Sequence, residues 1–99
     1  MIVKGKTTSG FKYEVDSTAL STWDYIEATA MSQSENESEQ VQGYVRMVKL
    51  TMGKDGMKKL KEHLGEKMQF ADVNREVTEI TQKVVEEVKE AKNSQSLQQ

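Results

Sequence analysis

The sequence predicts a single α+β domain, mostly α, in which an N-terminal β-hairpin packs on a bundle of about four helices. Three observations lead there. Apolar residues recur at every second position up to Asp16 and at helical spacing after it. Glycines and polar runs cut the helical part into pieces. With 35% hydrophobic residues, a chain of 99 residues can build one small core, burying somewhat over ~60% of its unfolded surface. Residues 1–92 form the expected domain, and 93–99 are a polar, frayed tail.

Ile2 and Val3 open the chain, residues 7–10 supply turn chemistry, and Phe11, Tyr13 and Val15 alternate with Lys12 and Glu14. A lone two-stranded hairpin is marginal in water, so its apolar face must lie on helices. Ser21, with Asp24 three residues on, resembles a capping box. Leu20, Trp23, Ile26 and Ala30 then follow near helical spacing. Trp23 is the expected buried anchor between hairpin and helix. Residues 32–40 hold no apolar side chain and read as a mobile loop, with Ser34 and Glu37 offering a second cap.

Val41, Tyr44, Val45, Val48 and Met52 share one helical face that ends at Gly53, while Met47 and Leu50 fall on other faces and imply a second neighbour. Asp55 then caps a short basic helix carrying Met57, Leu60 and Leu64, which stops at Gly65. In the last helix Phe70, Val73, Val77, Ile80, Val84, Val88 and Ala91 fall within roughly 80° of one another. From Val73 to Lys92 it spans about 30 Å, with Glu79 and Lys83 as an i,i+4 ion pair on its exposed side.

The charge pattern bounds the function. A formal net charge of -2 gives no overall field toward phosphate or anionic lipid, so neither nucleic acid nor membrane is an expected partner. The chain has no cysteine, no apolar run of the ~20 residues a membrane span needs, and no apolar core of a signal peptide at its start, which reads as cytosolic. The single histidine, His63, lacks a second histidine or a cysteine at ligand spacing, so no metal is expected. The acidic residues read as exposed faces and not as a catalytic pair, and no phosphate-cradling glycine loop or other cofactor motif is present. Neither enzyme activity nor a cofactor is expected. Lys58, Lys59 and Lys61 beside the Gly53 corner are the best case for a helix-turn-helix nucleic-acid binder, but lysines do not read bases bidentately.

What remains is protein binding. The last helix carries more stripe than a small core needs, so Val77, Ile80, Val84 and Val88, joined by Met57, are the expected partner surface. Surplus stripe also predicts self-association into a homo-oligomer, and the six methionines suit an adaptable contact surface.

Taken in order, several stretches resemble the small tail assembly chaperones of long-tailed bacteriophages and prophages. They are the Phe11-Lys12-Tyr13-Glu14-Val15-Asp16 strand, the Leu20-Ser21-Thr22-Trp23-Asp24-Tyr25-Ile26-Glu27 helix start, and Val48-Lys49-Leu50-Thr51-Met52-Gly53 leading into Leu60-Lys61-Glu62-His63-Leu64. The long helix ending in Lys92-Asn93-Ser94 completes the pattern, which covers most of residues 1–94. The chain departs from it between Ser32 and Gln40 and between Gly65 and Ala71. The resemblance implies a protein in the cytoplasm of the bacterial host that binds the helix-rich tape measure protein and keeps it soluble until tail tube subunits assemble. The tail tube protein is then a second candidate partner. The alternatives are the small helix-turn-helix nucleic-acid binder and an inert structural or connector protein of the same phage gene block.

Overall fold

The computed structural model describes residues 1–97. Strands β1 (Ile2–Lys6) and β2 (Lys12–Asp16) pair antiparallel, with Val3 opposite Val15, Lys4 opposite Glu14 and Lys6 opposite Lys12. The turn is closed by the Thr7 N–H donating to the Phe11 carbonyl and the Gly10 N–H donating to the Thr7 carbonyl, each at 2.9 Å. Period two then sorts the faces: Val3, Phe11, Tyr13 and Val15 are buried, while Lys4, Lys6, Lys12 and Glu14 are exposed. A 3-10 turn over Ser17–Ser21 follows. Its cap is the Asp16 carboxylate, which is held below the usual range by the Thr18 N–H and hydroxyl and, more weakly, by the N-terminal ammonium.

Helix α1 (Trp23–Ser32) starts one residue later than the capping-box reading placed it, because Thr22 and not Ser21 accepts from the Tyr25 N–H. Trp23 is not the expected anchor, for it is 71% exposed. The face geometry explains the difference. The fully buried residue of α1 is Ala28, five positions on and so roughly 140° around the helix from Trp23. Ala28 faces α2, and Trp23 faces away from the core.

Helix α2 (Glu37–Leu64) is capped by Asn36, whose side chain accepts from the Glu39 N–H at 3.1 Å. Only residues 33–36 separate α1 from α2, so most of the expected mobile loop is helical. The two helices pack closely at Gly43: a Cβ there would overlap the Ser32 nitrogen and come within 2.6 Å of the Met31 Cβ. The corner expected at Gly53 is a kink inside α2, with φ 72 and ψ 172, a conformation that favours glycine. The helix resumes without a loop. The structure therefore has three helices and not about four, because the two expected on either side of Gly53 are one bent element.

Gly65 ends α2, and α3 (Phe70–Leu97) begins at the first residue of its expected apolar stripe, three residues before the Val73 from which its length is reckoned. The backbone continues helical through the first five residues of the expected frayed tail; its last two, 98 and 99, lie outside the described residues. One core joins the inner face of the hairpin to Val48, Met52 and Leu60 of α2 and to Val77, Ile80 and Val84 of α3. The fold is thus mostly helical, with an N-terminal hairpin laid across the two long helices.

Candidate functional site

Of the five residues expected to form a partner surface, three are in the core. Ile80 and Val84 are fully buried and Val77 nearly so, while Val88 is half-buried and packs against the same cluster. The expectation of an open stripe on α3 is corrected here, since the inner face of the hairpin needs an apolar bed and the middle of α3 supplies it. Met57 is the exception. It is half-buried and lines an open groove between α2 and the start of α3.

That groove is open and lined mostly by apolar side chains. Its α2 wall includes Val41, Tyr44, Val45 and Val48, and its α3 wall Phe70 and Val73, with Met57 and Met68 also in the lining. Phe70 is 67% exposed and Val41 62%, so much of their apolar surface is left in water. The walls are fixed to each other at one point, where the Tyr44 hydroxyl bonds Asn74 at 3.0 Å and the rings of Tyr44 and Phe70 sit 5.0 Å apart, tilted by 49°. Burial raises the Tyr44 pKa above the ordinary tyrosine value. Behind Tyr44 a second, shallower groove runs between α1 and α3, past Tyr25, Met47, Thr81 and Val85.

A polar cluster joins the hairpin turn to α3. Glu76 is fully buried, contrary to the expectation that the acidic residues sit on exposed faces. Its Oε1 accepts from the Thr7 hydroxyl at 2.7 Å and from the Ser9 hydroxyl at 2.5 Å, and Arg75 Nε approaches its Oε2 at 3.4 Å. Burial alone pushes its pKa up, but the Ser9 and Thr7 hydroxyls and the Arg75 guanidinium outweigh that and hold it below the usual glutamate range. Glu79 accepts from both the N–H and the hydroxyl of Thr8 at 2.8 Å. Lys83 pairs instead with Glu86 at 3.8 Å, not with Glu79 as the i,i+4 spacing suggested.

His63 completes this cluster. Its Nε2 is 3.0 Å from Ser9 Oγ and its ring centroid lies 5.4 Å from that of Phe11. Ser9 has one hydroxyl proton, already given to Glu76, so His63 Nε2–H is the donor in that contact. The arrangement is a clasp and not a nucleophile with its base: the carboxylate bonds the serine directly, and the histidine donates to the oxygen it would have to deprotonate. Three elements meet here, and every buried side-chain polar atom described has a partner. Composition alone did not point to Glu76. Its position did offer a signal, since it lies one turn before Ile80 and therefore on the edge of the apolar stripe.

Among the described residues no cluster of three or more His, Cys, Asp or Glu could hold a metal, and no helix is long and apolar enough to cross a membrane. The chain matches no protein-family model, no curated protein and no solved structure.

Proposed function

We propose that the chain is a protein-binding module whose groove takes an amphipathic helix, and that it serves as a tail assembly chaperone of long-tailed phages or prophages. In this reading its client is the tape measure protein, the tail tube protein is a second partner, and it works in the bacterial cytoplasm. The observation that supports it is the exposed apolar lining of the groove, where Val41, Val45 and Phe70 stand open beside Tyr44 and Met57. Helix-in-groove recognition uses anchors at i, i+3, i+4 and i+7, and an open-ended apolar trough accepts many such sequences. Two methionines in the lining of the trough adapt to different anchors. At ~25 cal/mol per Å² of apolar area, one helix face gives weak binding, which suits repeated capture along a long client and release during assembly. The same open wall favours pairing of two copies when no client is present.

Co-expression with the tape measure protein of the same genome tests this. The parent chain is expected to keep that protein in the soluble fraction, and Val45→Asp with Phe70→Asp to abolish the effect while the melting temperature of the chaperone stays close to the parent's. A tape measure protein that remains insoluble with the parent, or is rescued equally by the double variant, refutes the reading.

A further inference from the structure

The hairpin and the kink in α2 border an open cleft separate from the apolar groove. It shares no lining residue with the apolar groove, and nothing argued about it depends on the chaperone reading. Lys4 and Lys6 enter it from β1, Lys12 from β2, and Lys54 and Lys59 from the part of α2 beyond Gly53. All five are exposed. Among the described residues none of them belongs to an ion pair. Lys6 stands directly opposite Lys12 in the ladder, a like-charge placement that weakens a hairpin.

Carboxylates in the cleft do not balance these charges. Against five lysines stand three carboxylates, Glu14, Asp16 and Asp55; Glu14 lies opposite Lys4 in the ladder, and Asp16 is occupied by the N-terminal ammonium and by Thr18. The whole chain is acidic, with a formal net charge of -2. The excess of free lysine at this one place is therefore a local feature and not a result of overall composition.

We propose that this cleft docks an acidic segment of a partner polypeptide, whose carboxylates sit between the hairpin lysines and Lys54 and Lys59. Charge complementarity fixes the sign of the occupant, and three features select polypeptide over nucleic acid. The cleft contains no arginine to grip a phosphate or a base edge bidentately. Its aromatic residues, Phe11 and Tyr13, are buried in the core and offer no free ring on which a base could stack. Glu14 and Asp55 oppose a continuous phosphate backbone, whereas a peptide sets carboxylates against the lysines and neutral residues against the two acids. Ile2, also in the cleft and 53% exposed, gives such a peptide an apolar contact.

The test is fluorescence anisotropy with a labelled peptide of alternating glutamate and glycine, against the parent and two variants whose melting curves are recorded in parallel. The parent is expected to bind at about 50 mM salt and to weaken by roughly tenfold at about 200 mM, as screened surface charges require. Lys6→Gln/Lys12→Gln/Lys59→Gln is expected to lose roughly tenfold or more at unchanged melting temperature, and Lys58→Gln/Lys61→Gln, which neutralises two lysines outside the cleft, no more than about twofold. Absence of binding by the parent overturns the proposal, as does an equal loss in both variants. Tighter binding of a duplex DNA moves the site to nucleic acid and also overturns it. Salt-sensitive self-association of the parent that disappears in the triple variant, without peptide binding, makes a second copy the occupant and overturns it as well.

Discussion

Replacing Glu76 by alanine removes the acceptor that ties the hairpin turn to α3. Two hydroxyl donors, Thr7 and Ser9, lose a carboxylate partner at 2.7 and 2.5 Å. Hydrogen bonds to a charged group contribute ~1.5–3 kcal/mol each. The substitution also relieves the desolvation of a fully buried carboxylate, which offsets part of the loss, so the net destabilisation is about 2–4 kcal/mol. For a domain of this length each kcal/mol shifts the midpoint by roughly 4–8 °C, giving a drop on the order of 10–30 °C in a thermal melt followed by circular dichroism at neutral pH. Glu76→Gln keeps one carbonyl acceptor and is expected to fall between parent and alanine variant. The two differ in acid as well. The folded pKa of Glu76 lies below its unfolded value, so its contribution is fully present above about pH 4.3, the unfolded value, and is lost as pH falls through the lower folded value. The glutamine variant lacks that component and its stability depends less steeply on pH in this window. A Glu76→Ala protein melting within about 2 °C of the parent refutes the clasp, and so does an unchanged acid slope in Glu76→Gln.

Two further substitutions probe packing. Gly43→Ala places a Cβ against the Ser32 nitrogen and within 2.6 Å of the Met31 Cβ, forcing α1 and α2 apart at a cost of about 1–3 kcal/mol, measurable as a lower denaturation midpoint in urea; an unchanged midpoint would show that the helices separate freely. Trp23→Ala, at an exposed position, is expected to change stability by no more than about 0.5 kcal/mol in the same assay, and a loss of several kcal/mol would place the indole in a packed site.

The hairpin and the stripe of α3 were legible in the sequence because both rest on strict periods. The period-two run from Phe11 to Val15 and the helical run from Val73 to Val88 each have one unbroken apolar face. The joints were harder to read. Gly53 looks like a stop and Asp55 like a start, yet a glycine at positive φ bends α2 and lets it resume at once. A sole tryptophan in the first turn after the hairpin reads as an anchor, but its roughly 140° offset from Ala28 places Trp23 outside. Helix length set against core size makes Val77, Ile80 and Val84 look surplus. The decisive quantity was instead the apolar underside of the hairpin, which needs those residues as its bed. The groove is built from residues far apart in the chain, Val41 and Phe70 among them. No local pattern distinguishes an apolar residue that is covered from one left open by the divergence of two helices.

The clasp between the hairpin turn and α3 bears on how the chain acquires its structure during synthesis. Thr7, Thr8 and Ser9 are made before their partners Glu76 and Glu79, which follow 67 to 71 positions later. A two-stranded ribbon has little stability by itself, and contacts of such large sequence separation form late because a long loop must close first. The hairpin, made before the helices it packs on, is therefore among the last elements to be fixed. Until α3 emerges, the apolar underside of the hairpin can be covered only in part, by Val48, Met52 and Leu60 of α2, and Val77, Ile80 and Val84 then complete its bed.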